Sequence, residues 1–137
     1  MNDNKIGTYK FVAEPFHVDF TGKLTMGVLG NHLLNCAGFH ASERGFGIAE
    51  LNENHYTWVL SRLAIELEDM PRQYEDFSIN TWIENVYRLF TDRNFELQDK
   101  KFVYRVIVDS RRNDFIFHKY SQRQCFYEPA IIIHLVN

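Results

Sequence analysis

The pattern of apolar positions predicts one long helix in the first third of the chain. Between Thr25 and Gly47 apolar side chains fall on most faces of a helix. Thr25 has the side chain of an N-cap, and Gly45 can adopt the left-handed conformation that ends a helix. A helix that is apolar nearly all round is normally buried, so we expect this one to lie inside the domain. The apolar positions are Val28, Leu29, Leu33, Leu34, Cys36, Ala37, Phe39 and Ala41.

After the helix the apolar period changes to two, which is typical of β-strands. The pattern predicts a long strand over residues 56–67, a half-buried strand over 77–84, a third over 87–97 and the start of a fourth over 102–108. In the first of these, the odd positions from Val59 to Leu67 form one face, and Trp58, Leu60 and Ala64 form the other.

A shorter strand precedes the helix, over residues 8–19, and Pro15 predicts a bulge or an edge within it. A strand, a buried helix and then a meander of antiparallel strands indicate the α+β class. A curved antiparallel sheet wrapped around one long central helix is the hotdog fold, which we therefore predict.

The last part of the chain lacks this regularity. From Ser110 onward the apolar residues follow no clear period, and we see no partner strand for them. We therefore divide the chain into a hotdog domain, residues 1–109, and an atypical tail, residues 110–137.

Composition and charge exclude several classes of function. The 137 residues suit one domain, and a net charge of -3 without a basic stripe argues against nucleic acid as a partner. Cys36 and Cys125 are not spaced as metal ligands, so we expect no metal and no cofactor. No run of about 20 apolar residues is present to span a membrane, and the N-terminus has no signal-peptide pattern, so we expect a cytoplasmic protein.

Three blocks of sequence, in this order, resemble the bacterial branch of the acyl carrier protein (ACP) thioesterases. They are Gly30 to Ala41, Tyr56 to Leu63, and Thr81 to Glu84 followed by Arg88 to Phe95. Together they cover roughly residues 8 to 101. The resemblance implies a fatty acyl-ACP thioester hydrolase of fatty acid biosynthesis. It also implies two tandem hotdog domains, of which the N-terminal one shapes the acyl pocket and the C-terminal one carries the catalytic residues.

The catalytic segment of that family, of the type Asp-x-Asn-x-His-Val-Asn-Asn, does not occur in this sequence. We therefore expect this chain to be an acyl-binding N-terminal half without activity of its own. After Lys101 the sequence departs from the family, which suggests a shift of reading frame at that point. A C-terminal hotdog domain is then missing, and we expect either that domain or a second copy of this chain as partner, besides the acyl-ACP itself.

Candidate pocket residues follow from the resemblance and from the helix and strand patterns. They are Leu33, Leu34, Ala37, Phe39, Trp58 and Leu60, and for each of them simple core packing is the alternative. Two functional alternatives remain open. One is a non-catalytic hotdog domain that binds acyl groups or dimerises, and the other is a self-sufficient single-domain thioesterase that uses His40 or Glu43.

Overall fold

The computed structural model describes residues 5–60, 62–65, 67, 69–86, 90–99, 103–104, 114–119 and 130–133. Within these ranges, two α-helices and eight strands follow one another. They are β1 (Gly7–Val12), α1 (Met26–Glu43), α2 (Ile48–Asn52), β2 (Tyr56–Leu60), β3 (Arg62–Ile65), β4 (Asp76–Val86), β5 (Phe90–Asp99), β6 (Val103–Tyr104), β7 (Asp114–Lys119) and β8 (Ala130–Ile133). The predicted α+β class is confirmed.

The main sheet is antiparallel, and its strand order is β1-β4-β5-β7-β2, with β6 pairing with β5. The long pair of β4 and β5 forms its centre, and their register shifts between Ile83 and Asn85. Strands β3 and β8 pair separately and in parallel.

Helix α1 begins and ends as the sequence predicts. The Thr25 hydroxyl accepts a hydrogen bond from the backbone N–H of Val28 at 3.4 Å, and Gly45 follows the helix with a φ of 80°. Only one face of the helix is buried, and it carries Leu29, Leu33, Cys36, Ala37, His40 and Ala41. Asn31, Asn35 and Phe39 on the opposite side are exposed, so the expectation of a helix buried on most faces was wrong.

The buried face of α1 contributes to a core shared with the strands. The strand residues of this core in the main sheet are Leu60 of β2, Phe77 and Ile79 of β4, and Phe95 and Leu97 of β5. The alternation with more exposed neighbours along β4 and β5 is the pattern of a sheet with one face on the core.

Three segments differ from the sequence prediction. The single strand predicted over residues 56–67 consists of β2 and β3, and burial changes phase between them, because Leu60, Leu63 and Ile65 are all buried. Pro15 starts a short 3₁₀ turn, Pro15–His17, which follows β1, so it does not form a bulge within the strand. The predicted alternative, an edge, agrees with the place of β1 at one end of the main sheet.

The residues after 109 also contribute strands. Strand β7 pairs with β2 and β5, and β8 pairs with β3, so the expectation that this segment has no partner strand was wrong. Whether residues 110–137 form a tail of separate origin stays a prediction, as does the division of the chain at residue 109.

Candidate functional site

A small apolar cavity of about 190 Å³ lies between α1, α2, β2 and β5. It is lined by Leu34, Ala37, Gly38, Ala41, Ile48, Trp58, Leu60, Thr91 and Arg93. Four of the predicted pocket residues, Leu34, Ala37, Trp58 and Leu60, therefore meet at one place, although helix and strand are separated in sequence.

The other two predicted pocket residues do not line this cavity. Leu33 is fully buried in the core. Phe39 is 51% exposed and its ring lies 5.7 Å from the ring of Tyr9. Successive residues of a helix point about 100° apart, so neighbours in sequence such as Leu33 and Leu34 face different surroundings.

Trp58 connects the cavity wall to the segment before α2. Its indole Nε1 donates a hydrogen bond to the carbonyl oxygen of Phe46 at 2.8 Å. The Phe46 ring packs edge-on against the indole, and the two ring centroids are 6.2 Å apart. Ile48, which follows at the start of α2, also lines the cavity. The Trp58 contact therefore holds this segment next to the cavity.

Arg93, which also lines the cavity, belongs to a buried polar network. Its Nη1 donates to Nδ1 of His40 at 2.9 Å and to the hydroxyl of Thr81 at 3.2 Å. Since His40 Nδ1 accepts, the ring carries its proton on Nε2 and donates to the carbonyl oxygen of Lys5 at 3.0 Å. Both ring nitrogens of His40 therefore serve to hold the fold together.

Burial dominates the electrostatics of this network. Desolvation lowers the pKa of Arg93 to about 10, and the guanidinium remains charged at neutral pH. Desolvation also lowers the pKa of His40, so that its neutral form is favoured. Close by, burial raises the pKa of the Cys36 thiol to about 12. A thiol with so high a pKa is not a nucleophile at neutral pH.

Glu43, the other weak catalytic candidate, lies in the last turn of α1 and is exposed. Its Oε2 accepts a hydrogen bond from the Tyr9 hydroxyl at 3.0 Å and lies 3.8 Å from Nη1 of Arg44. Burial of Tyr9, followed by this hydrogen bond, raises the pKa of the phenol to about 12. Catalytic roles for His40 and Glu43 stay predictions, and the geometry gives both side chains structural partners instead.

A second and larger cavity, here called the cleft, lies among β1, α1, β4 and β5 and has a volume of about 740 Å³. It is lined by Lys10, Phe11, Val12, Glu14, His17, His32, Asp76, Phe77, Ser78, Gln98 and Asp99. The His32 ring packs on the Phe11 ring, with ring centroids 4.4 Å apart. Nε2 of His32 is buried without a hydrogen-bond partner in the described part of the chain. Eight of the eleven residues that line the cleft are polar or charged, whereas seven of the nine that line the small cavity are apolar.

Sequence reasoning missed several cavity residues. Thr91 and Arg93 lie within the strand predicted over residues 87–97 and are not among the predicted pocket residues, yet they line the cavity and are only 6% and 4% exposed. Gly38 and Ala41 belong to the predicted helix, and their small size is the signal that could have marked a gap beside it. In the described ranges no three potential ligands cluster as a metal site, and no helix is long and apolar enough to cross a membrane.

Comparison with known proteins identifies the family of the chain. The family model for the acyl-ACP thioesterase N-terminal domain matches residues 7–113. This chain belongs to the acyl-ACP thioesterase family. The resemblance read from the three sequence blocks is therefore confirmed.

Individual acyl-ACP thioesterases agree with this assignment. A crystal structure of an acyl-ACP thioesterase from Bacteroides thetaiotaomicron is 68% identical, with a TM-score of 0.77, over 88% of this chain and 49% of that one. The chloroplastic oleoyl-acyl carrier protein thioesterase of Coriandrum sativum is 28% identical over 96 residues, which are 66% of this chain and 26% of that protein. The chain thus spans about half of the bacterial relative and about a quarter of the plant one.

A more distant structure shows the fold alone. A DHNA-CoA thioesterase from Staphylococcus aureus has a TM-score of 0.70 at 16% identity, over 83% of this chain and 74% of that one. With these thioesterase neighbours, the predicted hotdog fold is confirmed for this member of the acyl-ACP thioesterase family.

Proposed function

We propose that this chain is the acyl-binding half of a fatty acyl-ACP thioester hydrolase that acts in fatty acid biosynthesis in the cytoplasm. The observation that carries the proposal is the apolar cavity between α1 and the sheet, where Leu34, Ala37, Trp58 and Leu60 meet. This cavity holds the hydrocarbon tail of an acyl group that is presented on the carrier protein. A second hotdog domain, in a longer chain or in a partner chain, supplies the residues that hydrolyse the thioester.

The energetics of hydrocarbon burial support this use of the cavity. Each methylene removed from water contributes about 0.8 kcal/mol. Apolar cavities of roughly 150 Å³ bind a molecule the size of benzene, so the cavity of about 190 Å³ accommodates several carbons of an acyl chain. Because one methylene changes binding by only about 1–3 kcal/mol, chain length is selected by bulky walls, which Leu34, Trp58 and Leu60 provide here.

Three observations favour binding over hydrolysis by this chain alone. The nitrogens of His40 and the carboxylate of Glu43 are engaged in structural hydrogen bonds. Glu43 also lies at the C-terminal end of α1, far from the backbone N–H groups of a helix N-terminus that could stabilise an oxyanion. The 137 residues contain no segment of the family's catalytic type.

The direct test uses the purified chain with a medium-chain acyl-ACP. We expect release of free thiol at the background rate, together with binding of the corresponding fatty acid, measured by displacement of a fluorescent fatty acid. Robust turnover that is abolished by Glu43→Ala would contradict the proposal in favour of a self-sufficient single-domain enzyme. Loss of both turnover and acyl binding would leave only a dimerising role.

A matched pair of glycine substitutions locates the binding site. Gly38 lines the cavity, and a Cβ added there meets no atom within 4 Å. Gly38→Leu fills this space and also favours the helix by up to about 1 kcal/mol, so we expect weaker acyl binding by a protein that is no less stable. Gly27→Leu, in the exposed first turn of the same helix, gains helix propensity without entering the cavity and should leave binding unchanged.

The pairing state is part of the proposal. Hotdog domains need a partner for their exposed edge, and β1 and β2 form the two edges of the main sheet in the described order. We expect the isolated chain to form a homodimer where the second domain is lacking. Size-exclusion chromatography with light scattering measures this, and a monomer at micromolar concentration would contradict it.

A further inference from the structure

The wall that β5 contributes to the apolar cavity is polar. All other lining residues, from α1, α2 and β2, are apolar, whereas β5 contributes Thr91 and Arg93. These two residues are two positions apart on one strand and therefore lie on the same face of the sheet. A cavity intended only for a saturated chain has no need of polar side chains in its wall.

Thr91 is the more informative of the two. The residue is only 6% exposed, and its hydroxyl is not hydrogen-bonded to any residue in the described part of the chain. The hydroxyl oxygen is nevertheless not among the fully buried polar atoms that lack a partner, so it keeps some accessible surface. Most hydroxyl groups inside a protein hydrogen-bond to other protein groups, whereas an accessible one in a cavity wall can bond to a ligand instead. On the neighbouring strand the hydroxyl of Thr81 shows the usual outcome, since it donates to the carbonyl oxygen of Asn94 at 2.9 Å.

Arg93 adds a fixed positive charge beside the Thr91 position. Its Nη1 is held by His40 at 2.9 Å and by Thr81 at 3.2 Å, so the side chain keeps one position. With a pKa of about 10, the guanidinium is charged at neutral pH. A positive charge in apolar surroundings attracts a hydroxyl or keto group of the ligand, because the oxygen is the negative end of the dipole of that group.

We infer that this cavity prefers an acyl chain carrying a hydroxyl or keto oxygen over the saturated chain of the same length. The ligand oxygen hydrogen-bonds to the Thr91 hydroxyl, which can donate to either group, while the remaining carbons contact the apolar walls. The inference rests on the proposed acyl-binding function and specifies its substrate class. A site built around a polar contact discriminates against a ligand that leaves this contact unmade.

The experiment measures competition with a fluorescent fatty acid. The competitors are a saturated medium-chain fatty acid, its positional series of monohydroxy derivatives and the matching keto acids, each tested against the wild-type chain and Thr91→Val. Valine has nearly the shape of threonine but has no hydroxyl. Thr57→Val, on β2 of the same sheet and outside the cavity lining, is the control for general effects of the substitution.

We expect at least one oxygenated isomer to bind the wild type about tenfold more tightly than the saturated acid, as for one additional hydrogen bond. Thr91→Val should abolish this preference and leave the affinity for the saturated acid equal or higher, while Thr57→Val retains it. Tighter or equal binding of the saturated acid by the wild type overturns the inference, as does a preference that survives Thr91→Val. If no fatty acid competes with the probe, the proposed acyl-binding function itself is wrong.

Discussion

The two cavities of this chain differ in size and in lining residues, and the smaller one is better suited to the acyl chain that we propose as its ligand. The cleft near His32 has about 740 Å³ and is lined by more polar and charged residues than apolar ones, whereas the cavity beside Trp58 has about 190 Å³ and is lined mostly by apolar residues. Small-molecule sites typically measure about 300–1,000 Å³, so volume alone would select the cleft. A hydrocarbon tail, however, gains binding free energy only where contact removes apolar surface of both the tail and the cavity wall from water.

The difference teaches that the surroundings of each cavity decide its use. Behind the small cavity, both ring nitrogens of His40 and the hydroxyl of Thr81 are hydrogen-bonded, and Nη1 of Arg93 provides two of these bonds. In the cleft, the buried Nε2 of His32 has no such partner among the described residues. We therefore expect substitutions in the first region to destabilise the fold and the second region to make stability depend on pH.

The largest expected effect comes from the network behind the small cavity. Arg93→Met leaves the buried Nδ1 of His40 and the hydroxyl of Thr81 without their donor, which should lower the free energy of unfolding by about 2–3 kcal/mol. Urea denaturation followed by circular dichroism measures the loss. Arg72→Met, at an exposed position, is the control and should cost less than about 0.5 kcal/mol. Equal effects of the two substitutions would mean that the network does not stabilise the fold.

The contact between Trp58 and the segment before α2 should have the next largest effect. Trp58→Phe removes the hydrogen bond to the Phe46 carbonyl and should cost about 1 kcal/mol, with weaker acyl binding. Trp82→Phe is the matched control, because the Trp82 indole bonds only to the exposed Glu84, at 2.8 Å, and surface contacts of this kind contribute little. If Trp82→Phe weakened acyl binding as much, the cavity would be misplaced.

The cleft should make stability depend on pH. Desolvation, and then the neighbouring His17, lower the pKa of His32 in the folded chain, while Glu14 opposes this. In the unfolded chain the His32 imidazole takes up a proton at about pH 6.5. The stability that neutral His32 contributes is therefore complete above that pH and is lost as the pH falls below it. Lys10, Asp76 and Asp99 are the other charged groups that line the cleft.

Denaturation midpoints between pH 8 and pH 5 test this dependence. His32→Phe, whose ring can pack on Phe11 and Phe77, should reduce the loss of stability at acid pH. A remaining loss is expected, because burial also lowers the pKa of His40. An unchanged pH profile in His32→Phe would show that the cleft does not sense pH.

The smallest effect is expected from filling the cleft. Ser78 lines it, and its hydroxyl makes only a long contact of 3.5 Å with the carbonyl oxygen of Gln98. Ser78→Leu should therefore leave fatty acid affinity unchanged in the displacement assay, in contrast to Gly38→Leu. Weaker fatty acid binding in Ser78→Leu would assign the acyl chain to the cleft and reverse the comparison of the two cavities.

Much of the fold could be predicted because its signals are local. The N-cap at Thr25 and the left-handed Gly45 are properties of a few neighbouring residues, and both are confirmed. The alternation along β4 likewise follows from the sequence of that strand alone. Four of the six pocket residues also came together, since the apolar helix and the strand with Trp58 had to pack on each other.

The parts that failed depend on contacts between distant residues. The phase change between Leu60 and Leu63 is set by two different strand partners, β7 and β8, which no pattern within residues 56–67 contains. Likewise Asn35 and Phe39 of α1 remain exposed although the helix is apolar enough to be buried more completely.

The amino-acid sequence by itself determined the class of the fold, the limits of the central helix and membership of the acyl-ACP thioesterase family, because these depend on local periodicity and on short ordered blocks. Only the tertiary structure decided that Thr91 and Arg93 line an apolar cavity and that His40 is held on both of its nitrogens. These facts depend on where β5 lies against α1, a relation between residues some 50 positions apart along the chain that no local pattern encodes.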